Sequence, residues 1–457
     1  MKINFWKKDR LKWSIFSCTG CWPAKIIGIF LLTLFLAVPE IGGAELSLEG
    51  AIDLALNYNY GVRSAEYDSV TASENYHRAA AGRLPSLSLD SRATYLSNLT
   101  SMTIDLGMVD PITRDLGSKE NYQADLRLTL PLYTGGKLSG SIKGALAQSR
   151  AAGYGLEARR LMVAYRTRQA YLSFMLANSR VDIARSSLKR LQIIKDDVTD
   201  LYINGITDTI DVLEASLSLE TGNLAIIEQE TQKKNAENNL LNLTGLKDSC
   251  HITSLIPRDW SPRSRDDLPT SAINRPELQR LQYIAEAADQ NARMAVGNYF
   301  PTLSAFGGYS VGKPNRDMFS AGWDDYFSVG LSLNWAFDLG RDNTVSAARS
   351  QAQSALMIRH DLEEQLRLQA EQANNQLELA AEAIKISRQE LEIAKRRYEL
   401  ATEKQKAGNL SVNRLLEMEA ELTATEERHY SSLIRYFLAE ADLYYALGSD
   451  KIFGGIQ

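Results

Sequence analysis

Cysteine and histidine are scarce, with three and four in 457 residues. Cys18 and Cys21 precede a short apolar run, so Cys250 stands alone in the rest of the chain and no internal disulfide can form there. His251 beside it does not make a metal pair, because two adjacent residues are not a site and only His77, His360 and His429 remain elsewhere. The chain has no phosphate-cradling glycine loop, no HExxH and no nucleophile elbow. It is therefore not read as an enzyme; no cofactor and no metal are expected, and scattered carboxylates on helices are solvated faces. Positive charge is also in deficit: 51 Lys and Arg stand against 56 Asp and Glu, a net of -5. That balance offers no basic face for phosphates and argues against a nucleic-acid partner.

No apolar run reaches the roughly 20 residues that a membrane-spanning helix needs. The run Ile26–Val38 has thirteen, follows Lys2, Lys7, Lys8, Arg10, Lys12 and Lys25, and ends in Pro39 and Gly42-Gly43-Ala44. A basic start, a short apolar core and a small-residue exit predict a cleaved secretory signal over residues 1–44, with the mature chain starting near Glu45. Neither early cysteine directly follows the apolar run, where a lipidated cysteine would be.

What the sequence does have is a repeat. GRLPSLSL (82–89) answers NYFPTLSA (298–305), and LPLYTGGK (130–137) answers NWAFDLGR (334–341). NGITDTIDVLEA (204–215) answers AGNLSVNRLLEM (407–418), and LTGL (243–246) answers LGSD (447–450). These predict a first repeat over 45–246, a proline-bearing linker over 247–270, a second repeat over 271–450 and a tail over 451–457. Each repeat reads as a helix, two strands, a very long helix, a glycine-bearing turn and a helix of middle length. The long helices, 142–202 and 345–406, carry coiled-coil seams. Ala184, Leu188, Leu191, Lys195, Val198 and Tyr202 are spaced four and three, and Leu377, Ile384, Leu391 and Tyr398 recur every seven. A sustained seven-residue period implies a left-handed supercoil. At 1.5 Å per residue such a helix is roughly 90 Å long, too long to be buried in one small core.

Strands are predicted over 85–97, 122–134, 301–312 and 326–338, all with a period of two. In the first, Leu87, Leu89, Ala93 and Tyr95 oppose Ser88, Asp90, Arg92 and Thr94. In the second, Ala124, Leu126, Leu128, Leu130 and Leu132 oppose Gln123, Asp125, Arg127 and Thr129. Phe306 breaks the alternation of the third. The pattern fits a half-buried sheet in water or a barrel wall in lipid. Strand length and aromatic residues near strand ends (Tyr95, Tyr122, Tyr133, Tyr326, Trp335 and Phe337) favour the barrel, the aromatics serving as a girdle. Four strands cannot close a membrane barrel, whose smallest members have about 8, so this reading requires an oligomer.

The order of elements, the Pro85 and Pro301 strand starts, the YTGGK and FDLGR exits and the turn from Gly205 to Glu214 together resemble the outer membrane efflux protein family, the TolC-like channels of Gram-negative bacteria. The resemblance covers about residues 46–449. It implies a long α-helical coiled-coil barrel joined to a 12-stranded transmembrane β-barrel, formed by a homotrimer with four strands per subunit. It implies a place in the outer membrane, with the helices reaching into the periplasm. It implies a passive exit duct in efflux or type I secretion, working with a periplasmic adaptor and an inner-membrane pump of RND, ABC or MFS type. The adaptor would meet two tip turns: Asn204, Gly205, Ile206 and Thr207, and Ala407, Gly408, Asn409 and Leu410. Asp211, Glu214, Arg414 and Glu417 match the positions that constrict the tunnel entrance, Arg414 departing from the family's acidic pattern. Asp208 and Asp211 equally suit the first turn of a helix, where carboxylates cap free N–H groups. Arg414 could pair with Asp211 or Glu214 and hold the entrance shut. Ser88, Asp90, Arg92, Thr94, Gln123, Asp125, Arg127 and Thr129 would line the lumen.

A secreted periplasmic coiled-coil adaptor or stalk without a membrane barrel is the alternative. Cell fractionation separates the two: a barrel leaves the membrane only with detergent, whereas release by salt or carbonate supports the stalk.

Overall fold

The computed structural model describes residues 45–104, 107, 110–247, 251–252, 274–316 and 322–454. The expected signal segment, Cys250 and nearly all of the expected linker lie outside them. The elements run β1 (Glu45–Leu46), α1 (Leu48–Tyr58), α2 (Tyr60–Ala81), β2 (Ser86–Tyr95), β3 (Thr100–Ile104), β4 (Ile112–Leu116), β5 (Glu120–Tyr133), α3 (Lys137–Ile203), α4 (Thr209–Thr244) and β6 (His251–Ile252). They continue with α5 (Pro276–Val296), β7 (Thr302–Lys313), β8 (Asp324–Asn334), α6 (Arg341–Lys406) and α7 (Val412–Leu447).

Three details differ from the sequence reading. The first helix is two helices: Asn59 ends α1 and caps α2, its Oδ1 accepting from Gly61 N at 2.9 Å and Val62 N at 3.2 Å. That side-chain oxygen replaces the helical partner those amides lack. The loop between the first two long strands holds an antiparallel hairpin of its own, β3 with β4. Finally, β8 stops at Asn334, so Trp335 and Phe337 lie just past the strand, packed ring to ring at 4.7 Å.

The long strands form one antiparallel sheet in the order β2-β5-β7-β8. Among the described residues its outer strands, β2 and β8, each pair on one side only. Pro131, which has no N–H to donate, marks an irregularity where β5 crosses β7. Exits from the sheet lead straight into the rods: Gly136, at φ +85°, precedes α3, whose 67 residues span about 100 Å.

The main core sits midway along α3. There Leu161, Tyr171, Leu172 and Phe174 pack on Leu48 and Ile52 of α1, Leu240 of α4 and Leu433, Tyr436 and Phe437 of α7. Arg168 is only 1% exposed in this core. It donates to the carbonyls of Gly454 at 2.9 Å and of Lys451 and Ile452 at 3.4 Å, and its Nη2 lies 3.6 Å from a Glu440 oxygen. Burial pulls its pKa down, with Glu440 opposing the shift. Nearby, Tyr165 Oη donates to Asp442 Oδ1 at 2.6 Å, and burial with that bond pushes the phenol's pKa up.

Away from this core the rods are thinly covered. Of the 36 residues of α4 only Ala215, Leu240 and Thr244 are buried. Ile210, Leu217 and Leu224 on α4 and Leu379, Ile386, Ile393 and Leu400 on α6 recur every seven residues and are exposed. The buried seam of α7, Val412, Leu415 and Leu422, is interrupted by Glu419. Glu419 Oε1 accepts from Ser187 Oγ at 2.8 Å, Thr423 Oγ1 at 2.8 Å and Arg190 Nε at 3.1 Å. Arg190 also reaches Thr423 Oγ1 at 2.8 Å and Glu426 Oε2 at 3.2 Å. Without Glu419, Arg190 keeps Glu426 as its carboxylate, and the loss is that of the hydrogen bonds made to the Glu419 charge, about 2 kcal/mol. Glu419→Ala should destabilise the helical region by about that much, read as a lower thermal midpoint in detergent, whereas an Arg190→Met, Glu419→Leu double variant should recover most of the loss.

Candidate functional site

Two regions follow from this frame: the two-faced sheet and the tips of the helical hairpins. Cross-strand register aligns the polar side chains into rows. Asp90 lies opposite Asp125, which lies opposite Ser310, which lies opposite Tyr326. The adjoining rows are Ser88, Arg127, Gly308 and Ser328 on one side and Arg92, Gln123, Gly312 and Asp324 on the other. Thr129 and Phe306 pair next to Gly330, and Thr94 pairs with Asn121 at the far end. The eight side chains expected along the lumen therefore share one face, because residues directly opposite in a ladder point the same way. The other face carries Leu87, Leu89, Leu126, Leu128, Val329, Leu331 and Leu333, all exposed within the protomer except for their sheet neighbours.

The register corrects one girdle residue. Tyr326 faces the polar side with Ser310, and Arg316 sits over its ring at 5.0 Å from the centroid. Its even-numbered parity with Ser328 and Gly330 was the available signal. Tyr122 stays on the apolar face opposite Ala93 and stacks on Trp323 at 6.1 Å, a residue that alternation alone did not flag because it precedes β8. Tyr133 pairs with Leu303 on that face, Tyr95 closes the ladder opposite Glu120, and Trp335 Nε1 donates to the Tyr299 carbonyl at 3.2 Å.

The two tips are built alike. Gly205 and Gly408 both adopt φ +72°. Ile206 N donates to Leu201 O and Asn409 N to Lys404 O, each at 2.9 Å, the six-to-one closure that ends a helix on a left-handed residue. Asp208 then caps α4 by accepting from Ile210 N, and Ser411 caps α7 by accepting from Arg414 N at 3.4 Å. Both helices are 36 residues long, and both end at a left-handed glycine, Gly245 and Gly448. Asn204 Nδ2 donates to Asp200 O at 2.8 Å, while Thr207 Oγ1 donates to Asp211. Ala407 and Leu410 complete the second turn, Leu410 packing on a small cluster of Ile194, Val198, Ala215, Val412, Leu415 and Met418 that ties the hairpins together.

Arg414 does not pair with Asp211 or Glu214 within the protomer. It bridges to Glu417 on its own helix, three residues on, where side chains share a face. Glu214 Oε2 is buried without a hydrogen-bond partner among the described residues. The interior of the hairpins holds groups that the sequence reading missed: Arg190, Glu419 and the buried pair Ser387 Oγ and His429 Nδ1 at 3.2 Å. Glu419, Glu426 and His429 fall on the spacing of the α7 seam, which was the signal that could have found them.

Comparison with known proteins follows the same outline. The outer membrane efflux protein profile matches residues 51–246 and 268–449. The chain belongs to that family. Membership carries a location in the outer membrane. A protein named "Probable outer membrane lipoprotein SilC" from Salmonella typhimurium is 23% identical over 265 residues, 56% of this chain and 53% of SilC. The chain spans about half the length of the first curated relatives it matches. Among solved structures, CusC superposes with a TM-score of 0.74 at 19% identity, over 89% of this chain and 93% of that one. The open state of the Neisseria gonorrhoeae MtrE outer membrane channel gives 0.71 at 18% identity, over 89% and 90%. The efflux family fold thus extends across nearly the whole of this chain.

A side chain at φ +72° costs about 1 kcal/mol or more. Gly205→Ala and Gly408→Ala should each accelerate amide exchange in their own turn about fivefold, leaving exchange around Tyr171 unchanged.

Proposed function

We propose that three copies of this efflux-family chain pool their sheets into one 12-stranded barrel, continued by a helical tunnel, and that the assembly is the passive exit duct of a tripartite pump or type I secretion system. One observation carries the reading: a four-stranded sheet presents a continuous apolar face while both of its edges stay unpaired among the described residues. In hydrocarbon each unpaired backbone group costs several kcal/mol, so such a sheet is stable there only when neighbours complete it. Twelve strands satisfy the even count of bacterial barrels. The two exposed heptad seams, on α4 and α6, support the same conclusion from the helical end, since each lacks a partner in its own protomer and each has the period of a helix–helix contact.

In this reading the two halves of the chain are a duplicated unit, as the paired 36-residue helices and matching tip turns suggest. The polar rows of the sheet line a wet lumen, and Tyr95, Tyr122, Tyr133, Trp335 and Phe337, joined by Trp323, rim the lipid-facing wall. The turns at 204–207 and 407–410 meet the helical hairpin of a periplasmic adaptor, which couples the duct to an inner-membrane pump. Asp211, Glu214 and the Arg414–Glu417 pair gather near the tunnel mouth, where threefold repetition makes a charged ring that favours cations. The open sheet edges argue against the stalk alternative, because a water-soluble protein protects such edges.

Leu217→Glu and Ile386→Glu test the assembly. Both side chains are exposed in the protomer, so neither change disturbs its fold. Each should convert a detergent-stable trimer to monomer on sizing, and should abolish the discrete conductance steps that the unaltered protein shows in planar bilayers. A monomeric, non-conducting parent protein would overturn the proposal.

A further inference from the structure

The break that Phe306 makes in its strand has a geometry of its own. Phe306 stands on the polar face, opposite Thr129 on β5 and Gly330 on β8. Its ring lies across β8: a Cβ placed on Gly330 would meet Phe306 Cζ at 2.7 Å. Only glycine at 330 lets the ring lie flat against the β8 backbone. In the neighbouring row Gly308 leaves the backbone uncovered, next to Arg127 on β5. The Arg127 guanidinium sits over the Phe306 ring, 5.8 Å from its centroid. Among the described residues Arg127 has no ion pair, and its side chain is exposed. The two rows that hold Arg127 and Phe306 contain no carboxylate; their other members are Ser88, Ser328, Ser86 and Thr129. The nearest acidic row, Asp90 with Asp125, lies two residues along the strand, about 7 Å away. A flat cation and a flat ring thus share a shallow recess over Gly308 and Gly330 whose own two rows carry only positive charge.

We propose that this recess is a binding site for planar aromatic anions passing through the duct, a contact that sets which cargo the barrel favours. A guanidinium stacks on aromatic planes and pairs with an anionic oxygen at once, which a lysine ammonium does not do. A fused aromatic ring bearing a sulfonate or carboxylate lies against Arg127 and the edge of Phe306, whose ring rests on the β8 backbone at Gly330. Further toward the loop end of this face stand two basic side chains, Arg92 and Arg316, and three acidic ones, Asp90, Asp125 and Asp324, a net charge of -1, so the attraction for an anion arises at the Arg127 tier and not from the charge of the face as a whole. The site rests on the channel reading, in which the polar face is the lumen; a trimer then carries three copies facing one axis.

The test is current block by 2-naphthalenesulfonate in planar bilayers holding the purified full-length mature protein, with cyclohexanesulfonate as the probe of equal charge without a flat ring. Naphthalenesulfonate should block the parent channel, and its half-blocking concentration should rise about tenfold in Arg127→Gln, in Arg127→Lys and in Phe306→Leu, the loss expected for one cation–ring contact. Gly330→Val, which keeps both side chains but pushes the Phe306 ring off β8, should weaken block similarly and serves if a Phe306 variant does not assemble. Cyclohexanesulfonate should block weakly and alike in all of them. Equal naphthalenesulfonate block in parent and variants, or equal block by the two probes, overturns the site while leaving the channel intact. A parent protein that does not conduct overturns the channel reading itself, and this site with it.

Discussion

A β-sheet with free edges cannot rest in hydrocarbon, and most of this molecule answers to that constraint. The outer edges of β2 and β8 find no partner among the described residues. In the proposed barrel other subunits complete them; every strand then has a lipid side and a water side, and the strict alternation of leucine with serine, arginine and aspartate becomes a requirement of the wall. In the same proposal the exposed seams of α4 and α6 meet neighbouring subunits.

The helical section solves a different difficulty. A rod of about 100 Å cannot be wrapped by one globular core. The chain concentrates its large apolar residues midway along α3, where the N-terminal helices, α4 and the end of α7 converge. Toward the tips the interior becomes polar, with Glu419, Arg190 and the Ser387–His429 pair occupying positions that leucine would otherwise fill. Directional bonds of this kind fix register between helices, whereas an all-leucine seam allows sliding.

Much of the fold was legible because it depends on local periodicity. Heptads gave the rods, alternation gave four strands, and glycine gave both tip turns at their observed places. The failures share a physical origin. Asn59 splits a helix by offering one side-chain oxygen to two amides, a competition invisible to hydrophobic pattern. The β3–β4 hairpin is short and exposed, so it lacks the amphipathic contrast on which strand recognition relies. Tyr326 was assigned by its nearness to a strand end, although parity with Ser328 puts it on the other face. Arg168 looked like any helix-surface charge, because its partners are carbonyls nearly three hundred residues away. At the tips the turns lie at 204–207 and 407–410, and within the protomer Arg414 bridges to Glu417, three residues on along its own helix, and not to Asp211 or Glu214.

That Arg168 clasp has a further meaning for how the protein is made. The guanidinium holds carbonyls as far as 286 positions along the chain, and the same core draws on Leu46 and Leu48 near the start of the described residues and on Leu447 and Ile452 near their end. Contacts of such separation form slowly, because a large loop must close before they reward it. The midsection core therefore closes only when segments from both ends of the described chain have met, and a change at Arg168 would be felt at both.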